Sequence, residues 1–486
     1  MSNRDWWRGS VIYRIQTNSV LDVDSTGGLP AINAKLEDLA ELGVDAIWLA
    51  PFFASLGNPL QNHTDWLGVD PTFGSLDDFD EVLDRAHTLG LRVLLDLVWS
   101  YTSDRHAWFA ESRADRTNER ADWYIWADPA RDGTPPKQGR SIAAGTAWSW
   151  EPCRRQYYLH RVASNQPVLN LQNEAVQDAL LASAEFWLRR GVDGFRLDSV
   201  DSLMHDGFIR RRCAIESNPQ CQGRNLWEPA GGRLLARVRH LTEHYPGCVT
   251  LGEVSTGPGA FDRVVAYTSG SALLHMAYTL RPLRGRFNPA TVQQFLRDAA
   301  ASGDDGWFCW CFTDGEAARA LNRWNPSRGD AETEAALARL LIALSFSLRG
   351  SISVGSPWLP MPSFRPEAGF QTGEKQNLLR TARRFLAWRR MQPALVQGGF
   401  RVLAFPEPLV GFLREHEGNR VLAAFNLSDS QARLDLTDYA AVRPLPECGF
   451  SMEIDGDTAI LPTYGVFFAA VVPAREWVEE AALAFA

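Results

Sequence analysis

Residues 191–198 read Gly-Val-Asp-Gly-Phe-Arg-Leu-Asp, and the helical pattern of Val176–Arg190 runs directly into them. The spacing predicts a helix, then a short buried strand over Gly194–Leu197, then an acid, Asp198, at the strand's C-terminal end. The same alternation extends outward. Val11–Ile15 reads as a strand, Ala31–Leu42 as a helix and Ala46–Leu49 as a strand. Leu76–Leu89 reads as a helix and Arg92–Trp99 as a buried strand. Strand then helix, repeated, means parallel strands joined by crossover helices. Several such units across residues 1–395 fit a closed (β/α)8 barrel better than an open sheet.

Two stretches break the rhythm. Residues 101–165 follow a strand end, are rich in Trp, Arg, Pro and Gly, and lack clear periodicity; so long an irregular stretch reads as a functional insertion. Beyond residue 395 the pattern changes to short β-like runs at Phe400–Phe405, Leu409–Arg414, Val421–Phe425, Arg433–Leu436, Ala459–Leu461 and Val466–Val472. We therefore expect an α/β protein in three parts. The barrel takes residues 1–100 and 166–395, a loop-rich inserted domain takes 101–165, and a C-terminal antiparallel β-sandwich takes 396–486.

The 486 residues leave room for this plan, at roughly 100–200 residues per domain. With 45% hydrophobic and 22% charged residues, the chain is neither disordered nor fibrous. A net charge of −9 argues against a nucleic-acid or anionic-membrane partner. The seven Cys form no CxxC pair, and the nine His show no ligand spacing, so neither a disulfide framework nor a zinc site is expected. The first residues, Met1-Ser-Asn-Arg-Asp-Trp-Trp, have no apolar leader core, and no apolar run reaches about 18 residues. The expected location is the cytoplasm. The 18 Trp are read chiefly as core packing, with sugar stacking as their second use. Arg210-Arg211-Arg212 is read as a solvated face.

Barrel enzymes place catalytic side chains at the C-terminal ends of strands. Four acids occupy such positions: Asp96 in LLDLVWS, Asp198, Glu253 in VTLGEVS, and Asp314 in WFCWCFTDGE. One acid after a strand is usually a helix cap or loop anchor. Four in order, one of them two residues after Arg196, point to a site.

GVDGFRLD followed by TLGEV resembles the α-amylase family of glycoside hydrolases, in its α-glucosidase and oligo-1,6-glucosidase branch. The likeness extends over nearly the whole chain. KLEDLAELGVDAIWLAPFF, VDPTFGSLDDFDEVLDRAHTLGLRVLLDLV, YTSDRHAWFAESR, QYYLH and RRFLAWRRMQPALVQGGFRVLAF all match its style. The resemblance implies Asp198 as nucleophile and Glu253 as general acid/base. It implies Asp314 as the carboxylate that grips sugar hydroxyls, Asp96 as a substrate-binding acid, and Arg196 as the cation that keeps Asp198 ionised. A retaining mechanism needs such a pair, one ionised and one protonated, about 5–5.5 Å apart.

The chain also departs from that family. Where the family carries Asn-His after the third strand, this sequence has Ser100 and Tyr101. Where it carries Asn-His before the last catalytic Asp, Phe312 and Thr313 stand. An Arg commonly three positions after that Asp is Ala317 here, with Arg319 two further on. The family's Gly-Tyr-Asp aligns with Leu60, Gln61 and Asn62, and its Gln-Pro-Asp-Leu-Asn becomes Gln166, Pro167, Val168, Leu169 and Asn170. Tyr101, Phe312, Thr313 and Asn62 are thus expected at the innermost sugar subsite, with Val168 nearby. Each lost bond to a buried hydroxyl costs on the order of 1–3 kcal/mol. The expected substrate is a small carbohydrate or glycoside with an α linkage, other than a simple glucosidase substrate, and the reaction hydrolysis or transfer. The family's calcium loop is shortened here to Asp22-Val-Asp24-Ser-Thr-Gly-Gly, with two carboxylates where calcium takes about six to eight oxygens, so no metal or cofactor is expected. A non-catalytic relative kept for binding or scaffolding is the alternative; retention of all three acids with Arg196 favours the enzyme.

Overall fold

The computed structural model describes residues 5–17, 27–55, 62–136, 146–161, 163–203, 229–301, 306–324, 330–356, 359 and 372–473. The side chains of residues 202, 229–231, 314–316, 331 and 372–375 fall outside that description. So do Asp22, Asp24, Leu60, Gln61 and Arg210–Arg212, singled out above.

Eight parallel strands form the centre: β1 (Val11–Ile15), β2 (Ala46–Leu49), β3 (Arg92–Leu97), β4 (Gly194–Leu197), β5 (Val249–Val254), β6 (Met276–Thr279), β7 (Cys309–Phe312) and β8 (Ser351–Val354). They pair in sequence order, with β8 on β1. A parallel bridge between Ala277 and Phe308 closes β6 onto β7. The sheet is therefore a closed (β/α)8 barrel. Alternation sorts each strand. Ile12, Ala46, Trp48, Leu94, Val249, Leu251, Met276, Tyr278, Cys309 and Cys311 pack together inside the barrel. Their neighbours, such as Ile47, Val93, Phe195 and Trp310, pack outward against the helices. Burial on both faces explains why these strands read as near-continuous apolar runs.

The helix over Leu76–Thr88 starts in a capping box, in which the Ser75 hydroxyl accepts from Asp78 N and the Asp78 carboxylate accepts from Ser75 N. The Glu174–Arg189 helix, capped by Asn173, buries Val176, Leu180, Ala184, Trp187 and Leu188 on one face. The stretch read as one helix over Ala31–Leu42 is two, Leu29–Asn33 and Leu36–Leu42; a tightened turn, Lys35 N to Ile32 O at 2.9 Å, separates them.

Between β3 and β4 the chain builds a small antiparallel sheet from 126–127, 156–159 and 148–151. The C-terminal region holds a five-stranded and a three-stranded antiparallel sheet around a shared core that includes Leu413, Leu422, Leu434, Leu461 and Phe467. Two strands there, Tyr439–Pro444 and Glu453–Asp455, were not anticipated; their residues are mostly exposed and polar or small, so they carry no apolar alternation. Among the described residues, no helix is long and apolar enough to cross a membrane.

The 191–198 stretch does two mechanical jobs. The Asp193 carboxylate accepts from Val93 N at 2.9 Å and from Arg92 Nη1 at 2.7 Å, fixing the start of β3. Gly194 has φ +152°, and a Cβ there would lie 2.2 Å from Val249 O. Only glycine lets β4 approach β5 so closely. Gly194→Ala is therefore expected to destabilise the fold by about 2 kcal/mol or more, read as a lowered urea midpoint.

His87 Nε2 lies 2.8 Å from Asp193 Oδ2, and this bond raises the imidazole above its usual range despite partial burial. A raised folded-state value means that His87 stabilises most below its unfolded value of about 6.5 and loses that effect as pH rises through the folded one. The gap in urea midpoint between the parent and His87→Gln is expected to be largest near pH 5.5 and to shrink towards pH 8.5.

Candidate active site

At the C-terminal mouth of the barrel, four strands deliver their inward residues to one guanidinium. Arg196 on β4 is 6% exposed. Its Nη1 donates to Asp96 Oδ1 at 2.7 Å and to Asp198 Oδ1 at 3.1 Å. Its Nη2 donates to Glu253 Oε2 and to the Tyr278 hydroxyl, the latter at 2.7 Å. Its Nε also reaches that hydroxyl at 3.1 Å, and the Tyr278 O–H lies 3.2 Å from Glu253 Oε2. Backbone register makes this possible: Asp96 is the direct partner of Arg196 across β3–β4, and Glu253 the direct partner of Tyr278 across β5–β6. Below, Arg14 lies 4.5 Å over the Trp48 ring and Arg196 5.2 Å from the same ring.

Charges in this layer set one another's protonation. Burial alone would raise Asp198, yet the Arg196 and Arg161 guanidinium groups hold it below the usual carboxylate range. Asp96 goes the other way: complete burial raises it, although Arg196 and Arg14 oppose the shift. Arg196 itself is raised well above its ordinary value, its carboxylates overcoming burial. Burial pushes up the Tyr101 and Tyr278 phenols, so both remain neutral donors.

The remaining sequence candidates divide. Tyr101 stands at the site, 7% exposed, with the Arg161 guanidinium 5.7 Å from its ring centroid. Thr313 follows β7, buried, its Oγ1 3.4 Å from Cys311 Sγ. Asn62 follows β2, with Oδ1 3.5 Å from Asn165 Nδ2 of the inserted segment. Asp314 opens the helix Asp314–Trp324 directly after β7, and its side chain lies outside the described residues. Phe312 is a correction. It points away from the barrel axis into an apolar space lined by Phe287, Phe295, Trp324, Leu341 and Leu344, because Cys309 and Cys311 take the inward positions. Val168 is the antiparallel bridge partner of Tyr101, so it lies beside the site as expected, and its side chain packs with Ala147, Trp148 and Leu159.

Three participants carried no sequence signal as such. Tyr278 was one aromatic in an apolar run, Arg161 sat in an irregular stretch, and Arg14 looked like a polar interruption of β1. Strand parity would have placed Arg14 and Tyr278 inside.

The description "Alpha amylase, catalytic domain" matches residues 14–352. The chain belongs to the alpha-amylase family. It is 38% identical to a "Probable alpha-glucosidase" of Rhizobium meliloti (strain 1021), over 96% of this chain and 97% of that one. It is 32% identical to an "Oligo-1,6-glucosidase" of Heyndrickxia coagulans, over 70% of this chain and 65% of the other. Among solved structures, the "alpha-glucosyl transfer enzyme, XgtA" superposes with a TM-score of 0.84 at 36% identity, covering 96% of this chain and 99% of that one. Within this amylase-family site the Tyr278 hydroxyl ties Arg196 to Glu253. Tyr278→Phe is expected to lower kcat/KM about tenfold, the equivalent of one net hydrogen bond of about 1.5 kcal/mol, with an unchanged circular dichroism spectrum.

Proposed function

We propose that the protein is a retaining enzyme that acts on a small α-linked glycoside, by hydrolysis or by transfer to an acceptor hydroxyl. One observation carries the reading: Asp198 and Glu253, from adjacent strands, share the Arg196 guanidinium at the mouth of the barrel. In the proposed sequence the Asp198 carboxylate attacks the anomeric carbon while the protonated Glu253 gives its proton to the departing oxygen. The glycosidic C–O bond breaks and a glycosyl ester forms on Asp198. Glu253, now a carboxylate, then takes a proton from water or an acceptor hydroxyl, whose oxygen attacks the anomeric carbon and frees Asp198. Two inversions leave the product α-configured. Asp314 is assigned to the sugar hydroxyls by family resemblance.

The kinship supports the reaction class, since relatives along the whole chain are named for glucosidase and glucosyl-transfer activity. For the innermost subsite, we propose a narrower change than the sequence suggested. Phe312 faces elsewhere, leaving Tyr101, with Val168 bridged beside it, and Thr313 where the family carries histidines. A phenol at Tyr101 offers one polar atom and a broad apolar face, which suits a ring or aglycone other than that of maltose.

Two outcomes test this. Asp198→Asn is expected to lower turnover of any active glycoside by about 10⁴-fold or more, with α-anomeric product from the parent enzyme seen by NMR; an unaffected variant or β-product would overturn the mechanism. On maltose, isomaltose and nitrophenyl α-glucoside the parent kcat/KM is expected to fall below about 10⁴ M⁻¹s⁻¹, and Tyr101→His to raise it.

A further inference from the structure

The inserted segment sends one side chain into the catalytic layer. Arg161 follows the strand at 156–159, and its guanidinium is held on three sides. Nη1 donates to Ser100 Oγ at 2.5 Å, Nη2 donates to Ser199 Oγ at 2.6 Å, and the group lies 5.7 Å from the Tyr101 ring centroid. Nη2 also lies 3.5 Å from Asp198 Oδ2, the oxygen opposite the one that Arg196 holds.

The surroundings explain this arrangement. A guanidinium whose side chain is 18% exposed needs a counter-charge, and serine hydroxyls are neutral acceptors that orient it without neutralising it. Asp198 supplies the charge. Ser199 adopts φ +45°, a left-handed conformation that is unfavourable for a residue with a Cβ. In that conformation its Oγ accepts from Arg161, and Ser199 also hydrogen-bonds Asp198. Ser100 is short enough to leave room for the incoming Arg, and Tyr101 gives it a flat face. The two departures after β3 and the Arg on the inserted segment thus fit one another as a set.

We propose that Arg161 is a second positioning cation for Asp198, clamped by Ser100 and Ser199, and that it orients and holds ionised the oxygen that Arg196 does not reach. This rests on Asp198 being the nucleophile. Arg161 acts through that carboxylate, and its removal should affect the covalent step more than ground-state binding.

Among the described residues, the groups that face Asp198 are Arg196 on its own strand, Asp96 on β3, Glu253 on β5, Tyr101 after β3, His63 after β2, and Arg161. His63 is pulled down to about 4 by burial, with His106 adding to the effect, so it is neutral across the working range. Tyr101 is pushed up by burial and stays neutral too. Asp96 and Glu253 pair with Arg196, whereas Arg161 pairs with Asp198, so a change at residue 161 reads out on Asp198.

The test is the pH profile of kcat/KM with whichever of maltose, isomaltose, sucrose and nitrophenyl α-glucoside the parent turns over fastest, for the parent, Arg161→Gln, Arg161→Lys and Ser100→Ala. Asp198→Asn serves as the baseline. With Arg161→Gln the acid limb is expected to move up by about one pH unit, since an opposite charge at such range is worth about 1–3 units and Arg196 remains. kcat should fall about tenfold or more while KM changes less than threefold. Arg161→Lys should return the limb most of the way. Ser100→Ala keeps the charge and the Ser199 bond to Asp198 but frees one side of the clamp, and should move the limb partway, which keeps the proposal testable should Arg161→Gln fold poorly by circular dichroism. An acid limb unmoved in folded Arg161→Gln, or in Ser100→Ala where that one does not fold, would overturn the proposal, as would loss of activity equal at every pH. A parent turnover no higher than that of Asp198→Asn would overturn the nucleophile assignment itself, a separate failure read from the baseline alone.

Discussion

The burial of the Arg196 charge is the constraint on which the upper half of the barrel depends. Moving a lone guanidinium into a dry protein interior costs several kcal/mol even after relaxation. Here three carboxylates and a phenol, from β3, the end of β4, β5 and β6, surround it within hydrogen-bonding distance. Each partner reaches it only if its strand keeps register. A slip of one residue would turn Asp96 or Tyr278 out towards the helices and leave Arg196 uncompensated. The ion cluster thereby locks four strands at the C-terminal mouth of the barrel, while the apolar layer of Leu94, Val249, Leu251 and Met276 fills the barrel beneath it.

The inserted segment has its own packing logic. Phe109, Trp126 and Tyr158 stack or meet edge to face, and Trp108 meets Trp123 with ring centroids 4.7 Å apart. Much of the abundant tryptophan is therefore scaffold, and Trp150, which pairs with Tyr157 on the small sheet, is the most exposed tryptophan among the described residues. The segment is stitched to the barrel mouth by backbone bonds, Thr102 N to Pro167 O and Leu169 N to Ser100 O. Those bonds fix the point from which Arg161 reaches Asp198, so a region that reads as irregular places a side chain as firmly as a strand does.

This explains which parts were legible in the sequence. Barrel strands announced themselves because burial on both faces demands apolar runs, and Asp198 and Glu253 because an acid ending such a run is conspicuous. Motif position alone puts Phe312 at the subsite, but the inward Cys309 and Cys311 fix the parity of the strand and send Phe312 outward. Arg161 was invisible for a different reason. Its partners Ser100, Tyr101 and Ser199 come from the ends of two separate strands, and no local pattern encodes that meeting. Tyr278 reads as core in any hydropathy pattern, since only its terminal oxygen takes part in the ion cluster. The side chain of Asp314, the third acid, lies outside the described residues, so its assignment still rests on the sequence.

A single guanidinium shared evenly between two carboxylates would give them the same electrostatic environment, and a retaining mechanism needs them to differ. The structure breaks the symmetry with the other neighbours. On the Asp198 side stands a second cation, Arg161, with the Ser199 hydroxyl. On the Glu253 side stands the neutral phenol of Tyr278. A charged donor stabilises a carboxylate roughly twice as strongly as a neutral one. The side that must remain an anion thus has two cations, and the side that must exchange a proton has one cation and a phenol. In the proposed roles, the difference between nucleophile and acid/base comes from what flanks Arg196, and the inserted segment supplies half of it.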